Sequence, residues 1–512
     1  GNSVIAKPAE STSLIAYRAS ELLIEAGIPI GLFQLCLGKG STVGSYLSSS
    51  SIISGVAFTG STAIAKQIKH SLVQSGNSEA RVIAETGGLN AMVVDSTALN
   101  EQVTRDVIDS AFKSAGQRCS ALRILLLQDD CFDEAISMIK GAMRELKIGN
   151  PRYLSTDCGP VINSDSQVKL QNYINQLRER NQVIEELQFE SNSGYFVSPT
   201  LIHLNSIEEI NEEFFGPILH VISYKSEDLE NVIDELNKKG FGLTFGIHSR
   251  IDKRVKEISS RVNAGNVYIN RNQIGAVVGS QPFGGEGLSG TGPKAGGPNS
   301  LCGYSKNISS SIKSNSPVKF SNEKTKVQNL VKPDLKLDQD LLSLLKKEFT
   351  NIEAEFFDFL HQEASKYNHE VSLPGPTGES NHLRYKPKGV ALCMGPSSID
   401  LIKQTLLSLV LGNSVISQIT KSEYDSLIAI GFAKDNIHRL VQEPSPNLLS
   451  SDSFDMVLFF GNTSSVQELI LKSRKKLIPV VDSIYESWEI VKEQVITEDT
   501  TASGGNANLL AL

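Results

Sequence analysis

The chain has 512 residues, which is more than one ordinary hydrophobic core holds, so its length predicts two or three domains. Hydrophobic residues make up 40% and charged residues 21%, as in soluble globular proteins, and no apolar run approaches a membrane span. The net charge of −8 argues against a general nucleic-acid-binding surface. Six scattered cysteines form no CxxC pair, so we expect no disulfide framework, no metal site and a cytoplasmic setting.

Strands, helices and glycine-rich turns alternate from the start of the chain. Residues 3–6 predict a short buried strand, residues 14–23 the apolar positions of a helix, and residues 32–37 a second strand. The next unit, residues 55–62, runs into an amphipathic helix over 63–73. This order is typical of a doubly wound parallel sheet, so the sequence predicts an α/β fold.

Two short segments carry the candidate reaction chemistry. Glu85 follows an apolar run and precedes two glycines, so we expect it where a buried strand ends in a tight turn. Cys119 lies 34 positions later among small residues that would let a carbonyl group approach its sulfur. A thiolate can attack carbon and a carboxylate can act as a base, so the pair predicts covalent catalysis. Taken singly, each residue could instead be a buried thiol or an ordinary loop carboxylate.

The two segments together resemble the aldehyde dehydrogenase superfamily, whose signature is Glu-x-Gly-Gly followed at about this interval by Gly-Gln-x-Cys. The resemblance implies aldehyde dehydrogenase-like doubly wound domains, one that binds NAD and one that is catalytic. It implies that Cys119 forms a thioester with the substrate and that Glu85 activates the water that hydrolyses it. The chain opens inside an apparent strand, so we expect the NAD-binding domain to be incomplete at its N-terminus.

The resemblance also implies which residues hold NAD. They match family segments along the chain: Lys7 and Glu10 at the adenosine ribose, Gly60 and Ser61 at the pyrophosphate, and Glu213 and Phe215 at the nicotinamide half. A carboxylate near the ribose hydroxyls favours NAD over NADP. From the residues alone, the Gly-Ser-Thr segment could be an ordinary helix N-cap, and the Glu-Phe-Phe segment a turn packed by aromatic rings.

A glycine-rich loop over residues 275–285 narrows the resemblance to the enzymes that oxidise L-glutamate γ-semialdehyde, the open form of pyrroline-5-carboxylate, to L-glutamate. In them, the equivalents of Ser120, Gly275 and Ala276 anchor the substrate's α-carboxylate, and that of Phe283 packs against its aliphatic chain. Many glycines expose backbone amides that can form an anion-binding nest. The alternative is a merely structural turn.

Composition and resemblance together divide the chain into five parts. We expect an NAD-binding domain at 1–85, a catalytic domain at 86–267, a substrate-anchoring loop and return segment at 268–304, a linker at 305–335, and a degenerate Rossmann-like α/β domain at 336–512. The last domain carries an internal repeat, because Gly-Asn-Ser-Val-Ile opens the chain and recurs from Gly412. The catalytic motif does not recur with it, so we expect this domain to be non-catalytic.

The segments at 373–379 and 500–509 resemble the end of long proline utilisation A proteins, which act in proline catabolism. This resemblance implies a flavin-dependent (FAD) proline dehydrogenase module upstream in the same parent chain, and a homo-oligomer. The family's second oxyanion donor, an Asn in a Pro-Trp-Asn-type segment, would also lie upstream. We therefore expect this chain alone to be inactive or barely active.

Two alternatives stay open. The substrate could be another aldehyde, including one whose thioester is transferred to CoA, although Glu85 favours hydrolysis. The chain could instead be a non-catalytic module in which residues 336–512 seal a tunnel between two active sites. Nothing in the sequence supports DNA binding.

Overall fold

The structure is a computed structural model, and it describes residues 1–189, 194–305, 320–321, 327, 330, 337–474 and 476–501. Chain contacts divide it into two compact units. The first unit contains Gly1–Ala84, Asn299–Ala364 and Pro387–Ile490, and the second contains Glu85–Pro298, Ser365–Lys386 and the segment that begins at Val491. Most of the predicted linker, residues 305–335, lies outside the described residues, as does most of the predicted tail segment, residues 500–509.

The described residues form short strands and helices that alternate along the chain. The strands are β1 (Val4–Ala6), β2 (Phe33–Leu35), β3 (Gly55–Thr59), β4 (Arg81–Glu85), β5 (Ala91–Val94), β6 (Ile124–Gln128), β7 (Val183–Glu186), β8 (Thr200–His203), β9 (Ile218–Tyr224), β10 (Phe241–Gly242), β11 (Thr244–His248), β12 (Asn266–Ile269), β13 (Glu286–Gly287), β14 (Val371–Leu373), β15 (Glu379–Pro387), β16 (Val390–Cys393), β17 (Ser414–Ser417), β18 (Ile437–Arg439), β19 (Met456–Leu458), β20 (Val480–Val481) and β21 (Val491–Asp499). The helices are α1 (Ser13–Glu25), α2 (Ser45–Ser48), α3 (Thr62–Gln74), α4 (Asn100–Phe112), α5 (Phe132–Arg144), α6 (Ser164–Glu179), α7 (Leu229–Lys238), α8 (Asp252–Arg261), α9 (Ser300–Gly303), α10 (Gln339–Glu348), α11 (Ala354–Tyr367), α12 (Ser398–Val410), α13 (Lys421–Ile430), α14 (Pro446–Leu449) and α15 (Ser464–Ser473).

A ten-stranded sheet is the centre of the second unit, in the order β14-β15-β21-β12-β11-β5-β6-β9-β8-β7. Every strand pair from β21 to β8 is parallel. Alternate residues of β5 enter two cores, since Met92 and Val94 pack with α4 and α5, whereas Ala91 and Val93 pack with α6, α7 and α8. Helices thus cover both faces of the sheet, which explains why β5 is apolar at every position.

The end of the chain completes this sheet. Strand β21 pairs in parallel with β12, with Val495 opposite Asn266, and β15 lies on its other side. The sequence analysis assigned all of these C-terminal strands to one domain at residues 336–512. In the structure, β14, β15 and β21 lie in the sheet of the second unit, beside the strands that precede residue 270.

The first unit contains a five-stranded parallel sheet in the order β18-β17-β16-β19-β20. Counted along the chain, this is the order 3-2-1-4-5, which matches the first five strands of the 3-2-1-4-5-6 order of a Rossmann fold. Helices α12, α13 and α15 connect the strands, as parallel pairing requires. The α/β fold and the Rossmann-like topology predicted from the sequence are therefore confirmed.

The strands at the start of the chain form two separate pairs, β1 with β2 and β3 with β4. The prediction that residues 3–6 are buried was wrong, because Val4 and Ile5 are 47% and 46% exposed. In contrast, the repeated segment at Gly412 leads into β17, which has a neighbour on each side and is buried throughout. Among the described helices, none is both long and apolar enough to cross a membrane.

Candidate functional site

The candidate catalytic residues lie at one edge of the ten-stranded sheet. Strand β4 ends at Glu85 and a short turn leads from it into β5, while Cys119 precedes β6 and Glu213 precedes β9. Because β5, β6 and β9 are parallel neighbours, their amino ends meet at one edge. The fold therefore brings together residues that are far apart in sequence, at the amino ends of these strands.

The loop that carries Cys119 has an unusual backbone. Ser114, Ala115 and Gly116 have φ values of 55°, 52° and 63°, in the left-handed region that non-glycine residues rarely adopt. A Cβ added at Gly116 would overlap the carbonyl oxygen of Gly216, in the segment before β9. The glycine thus allows the nucleophile loop and the segment that contains Glu213 to approach each other closely.

Asn90 fixes the backbone around the candidate nucleophile. Its side-chain amide donates to the carbonyl oxygens of Cys119 and Ala121, at 2.6 and 2.9 Å, and its own oxygen accepts from the N–H of Thr244 at 3.1 Å. These bonds join the loop before β6 to the starts of β5 and β11. The sequence analysis gave Asn90 no role, although it lies in the same segment as Glu85.

Arg123 joins the nucleophile loop to Glu213. It is fully buried, and its guanidinium donates to the carbonyl oxygens of Gly116 and Arg118, at 2.6 and 3.2 Å. The same group forms an ion pair of 3.2 Å with Glu213 Oε1, and its carbon lies 5.1 Å from the centre of the Phe215 ring. Arg123 is not among the predicted site residues, since a single arginine at the start of a strand has no distinguishing pattern.

Cys119 is half-buried, and its surroundings include groups that raise the pKa of its thiol and groups that lower it. Burial raises the pKa of the thiol, and the carboxylates of Glu85 and Glu213 raise it further. The backbone N–H groups of Ser120 and Cys119 oppose this shift. The resting group at neutral pH is therefore the thiol, and the same N–H groups can stabilise negative charge that develops beside the sulfur.

The two carboxylate oxygens of Glu85 have different surroundings. Its Oε2 accepts from the N–H of Gly285 at 3.2 Å, whereas Oε1 is buried and has no hydrogen-bond partner in the part of the chain that the structure describes. Burial raises the pKa of Glu85 to about 8, and the nearby charge of Lys294 opposes the shift. A buried carboxyl that titrates near neutral pH, with one oxygen available, can accept a proton from water.

The two glycines after Glu85 make room for Glu213. A Cβ added at Gly87 would overlap Glu213 Oε2, and the N–H of Gly88 favours the ionised carboxylate. Burial nevertheless raises the pKa of Glu213, against the effect of Arg123. The Glu-x-Gly-Gly segment thus supports Glu213 in the structure, a contact that the sequence alone does not indicate.

Ser120 is connected to the glycine-rich loop. Its carbonyl oxygen accepts from Thr244 Oγ1 at 3.2 Å and from Gln273 Nε2 at 3.3 Å, and Gln273 lies two residues before Gly275. Gly275 is exposed and has a φ of 78°, which glycine adopts without strain. Ala276 follows it and is half-buried. The predicted substrate anchors Ser120 and Gly275 are therefore linked through one glutamine side chain.

Phe283 is half-buried and held through its backbone. It exchanges both backbone hydrogen bonds with Ala295, at 3.0 and 2.8 Å. Gln281, two residues before it, donates to Glu379 Oε1 at 2.8 Å, and Arg271 forms an ion pair with the same carboxylate. Glu379 begins β15, so a residue about a hundred positions further along the chain fixes the glycine-rich loop from within, at Gln281, and from the segment before it, at Arg271.

The predicted adenosine-binding residues lie in the first unit, at the ends of β1 and β2. Lys7 is half-buried and its ammonium donates to the carbonyl oxygen of Gly38 at 3.2 Å. Glu10 Oε1 accepts from the N–H of Gly40 at 2.6 Å, which holds the pKa of this carboxyl below its usual value. Both side chains thus contact the turn that follows β2.

Ser61 is the N-cap of α3, and its hydroxyl accepts from the N–H of Ile64 at 3.3 Å. A Cβ added at Gly60 would overlap the ring of Phe58. The structure therefore gives both residues a local structural role, and the amides of the first helical turn are the groups that can face an anion. A carboxylate acceptor at Glu10, an ammonium at Lys7 and a helix N-terminus fit the hydroxyls and pyrophosphate of a dinucleotide.

The aldehyde dehydrogenase family is the sequence family that matches residues 1–308. The whole chain is 37% identical to the bifunctional protein PutA of Escherichia coli strain K12, and it spans about two fifths of the length of that relative. Over 59% of its length it is 34% identical to 1-pyrroline-5-carboxylate dehydrogenase of Geobacillus sp. strain WCH70, covering 59% of that protein.

Solved structures of proteins with the same two names are also similar to this chain. A Bradyrhizobium japonicum proline utilization A mutant matches with 49% identity and a TM-score of 0.57, over 59% of this chain and 31% of that one. A 1-pyrroline-5-carboxylate dehydrogenase from Thermus with bound NAD matches with 33% identity and a TM-score of 0.56, over 59% of both chains. Since the family match covers more than half of its residues, the chain belongs to the aldehyde dehydrogenase family.

Proposed function

We propose that this chain carries the NAD-dependent oxidation of L-glutamate γ-semialdehyde to L-glutamate in a proline-degrading enzyme. The observation that carries the proposal is the position of the Cys119 loop, which is held beside the buried carboxyl of Glu85 and linked through Gln273 to an exposed glycine-rich loop. The similarity to PutA and to 1-pyrroline-5-carboxylate dehydrogenase supports the substrate, and the similarity to the NAD-bound Thermus structure supports the cofactor.

The reaction begins at the sulfur. Cys119 releases its proton to solvent as its sulfur forms a bond to the aldehyde carbon, and the carbonyl π electrons move onto the oxygen as negative charge. The backbone N–H of Cys119 would donate to this oxygen, since preorganised donors of this kind stabilise a tetrahedral adduct. When NAD is bound, it supplies the two-electron oxidation that converts the adduct into a thioester.

Glu85 then acts on water. Its free Oε1 takes a proton as the water oxygen attacks the thioester carbon. The carbon–sulfur bond breaks, the proton on Glu85 passes to the departing sulfur of Cys119, and L-glutamate leaves after its new carboxyl releases a proton to solvent. Lys7, Glu10, Gly60 and Ser61 would hold the adenosine half of NAD. Glu213 and Phe215 would hold its nicotinamide half, with Glu213 already oriented by Arg123.

The glycine-rich loop would bind the α-carboxylate end of the substrate. Gly275 and Ala276 present backbone N–H groups, and Ser120 adds a hydroxyl, so together they would bind the α-carboxylate, while Phe283 would cover the aliphatic chain. The parent protein would also carry an FAD-dependent proline dehydrogenase module and form homo-oligomers in the cytoplasm. We retain the functional assignments of the five parts as part of this proposal, with residues 336–512 non-catalytic, although β14, β15 and β21 lie in the sheet of the second unit.

The test of this function compares two aldehydes in the full-length protein. 4-Aminobutanal has the aldehyde and amine of glutamate semialdehyde but lacks the carboxylate. Each charge-assisted hydrogen bond contributes about 1.5–3 kcal/mol, so we expect kcat/KM for 4-aminobutanal to be at least a hundredfold lower, about 3 kcal/mol for two such bonds. Equal values of kcat/KM for the two aldehydes would remove the proposed role of the loop.

Replacing Glu379 with alanine should weaken substrate binding without disabling the nucleophile. The change removes the acceptor for Gln281 and the partner of Arg271, so the glycine-rich loop loses its fixed position. We expect KM for glutamate semialdehyde to rise by about tenfold, the cost of losing one such anchoring contact, while kcat changes little. The control is Glu355→Ala, which removes an exposed carboxylate of α11. An unchanged KM in Glu379→Ala would show that the loop does not depend on β15.

A further inference from the structure

Lys294 is a buried cation that the steps above do not use. It is only 3% exposed and lies after β13, in the second unit. Its ammonium donates to Asn266 Oδ1 at 2.8 Å and to the carbonyl oxygen of Gly284 at 2.5 Å, and its backbone N–H donates to Glu493 at 2.9 Å. Burying an ammonium is costly, so its position calls for a physical reason.

Lys294 and Glu85 bind opposite sides of one peptide group. The carbonyl of this group belongs to Gly284 and accepts from Lys294, and its N–H belongs to Gly285 and donates to Glu85 Oε2 at 3.2 Å. In a trans peptide these two bonds point in opposite directions. A cation at the oxygen polarises the group and strengthens the hydrogen bond that its N–H makes.

Because Gly284 has no side chain, Glu85 and Lys294 can both lie close to its backbone. A Cβ added there would lie 3.0 Å from Glu85 Oε1 and 3.2 Å from the Cα of Lys294. At Gly265, a Cβ would lie 2.7 Å from the Lys294 ammonium. The two glycines therefore make room for the base on one side and for the lysine on the other.

Few charged groups act on this pair. Glu85 faces Lys294 and Glu286, and it also acts on the Cys119 thiol, while Lys294 faces Glu493, Glu85 and Glu286. Burial lowers the pKa of Lys294 to about 8, and the three carboxylates oppose the shift. The ammonium form of Lys294 and the carboxylate form of Glu85 thus stabilise each other.

We propose that Lys294 is a positioning residue for the base Glu85, which it orients and keeps ionised through the peptide between Gly284 and Gly285. The inference rests on the proposed function, since it assumes that Glu85 activates water. Lys294 itself touches neither substrate nor the reacting atoms, and it transfers no proton in this account. Its contribution is the charge that it places at the far side of the shared peptide.

The experiment follows the ionisation of Glu85 without any substrate. The rate at which iodoacetamide alkylates Cys119 is measured against pH in the full-length protein, by mass spectrometry of the Cys119 peptide. Ionised Glu85 raises the pKa of the Cys119 thiol. The plot of alkylation rate against pH should therefore change slope, which we call the break, at the pH where Glu85 ionises. Glu85→Gln identifies the break, because it should abolish it.

Lys294→Met should move this break to higher pH by at least about one pH unit, because the carboxylate loses its nearest cation. Lys294→Arg keeps a cation at every pH of the assay, so the break should stay at or below its wild-type position. If Lys294→Met does not fold, Glu493→Gln leaves the lysine in place but lowers its charged fraction, and the break should move up by a smaller amount.

Lys69 provides a matched control in the first unit. It is also buried, donates to the carbonyl oxygens of Ser78 and Ala80, and faces Glu489 and Asp482 instead of Glu85. Lys69→Met should leave the break where it is. A wild-type profile in Lys294→Met, or an equal shift in Lys69→Met, would overturn the proposal. Alkylation requires neither aldehyde nor turnover, so failure of the proposed substrate would appear separately, as absent NADH formation by the wild type.

Discussion

Replacing Cys119 with alanine should abolish NADH formation from glutamate semialdehyde in the full-length protein. We expect a loss of at least about 10⁴-fold, because removing the nucleophile removes the covalent step altogether. Alanine keeps the Cβ, so the hydrogen bonds of Asn90 to the loop backbone should persist. The measurement is the near-ultraviolet absorbance of NADH over time, with the thermal unfolding curve as a check on the fold.

The matched control for this variant is Cys302→Ala. Cys302 is also a half-buried free thiol, but it lies in α9 of the first unit, where its carbonyl oxygen accepts from Arg81. Turnover should remain at the wild-type level in this control. Substantial NADH formation by Cys119→Ala, or an equal loss in Cys302→Ala, would contradict the assignment of Cys119 as the nucleophile.

Replacing Glu85 with glutamine should separate the two halves of the reaction. The first turnover should still form NADH, whereas steady-state turnover should fall by about 10²–10⁴-fold, because the thioester then lacks its base. Glutamine can still accept from the N–H of Gly285, so the site should keep its shape. A burst of NADH, with a covalent adduct of substrate mass on Cys119, is the measurement.

The turnover rate should change with pH in a defined direction. Glu85 must be ionised to accept a proton, and burial raises its pKa to about 8, so wild-type turnover should rise with pH and level off above this value. The control Glu134→Gln, at an exposed carboxylate of α5, should keep both the rate and the profile. If Glu85→Gln turns over without a burst, or if CoA accelerates the wild type, hydrolysis by Glu85 is the wrong second step.

Local features of the fold could be predicted from the sequence because they depend on neighbouring residues. The segment at 55–62, predicted to lead into a helix, contains β3, and the helix predicted at 63–73 is α3 with one more residue at each end. The switch from a short apolar run to helical periodicity marks both elements. The burial of β1 was predicted wrongly because burial depends on what covers a strand, and no pattern within residues 3–6 records that.

The parts of the site that sequence reasoning missed depend on contacts between distant residues. Gly285 lies 200 positions after Glu85, and Glu379 lies 108 positions after Arg271. A buried arginine or lysine, such as Arg123 or Lys294, breaks the apolar pattern of its segment without indicating its partner. Such residues could be suspected from the cost of burying a charge, but their roles follow only from the folded geometry.

The most direct test of the central claim is the product balance of the full-length protein. Glutamate semialdehyde and NAD are supplied without CoA, and NADH and L-glutamate are measured together over the same time course. The account predicts that both form in equal amounts and that Cys119→Ala forms neither. NADH formation that requires CoA, or no NADH from the wild-type protein, would contradict it.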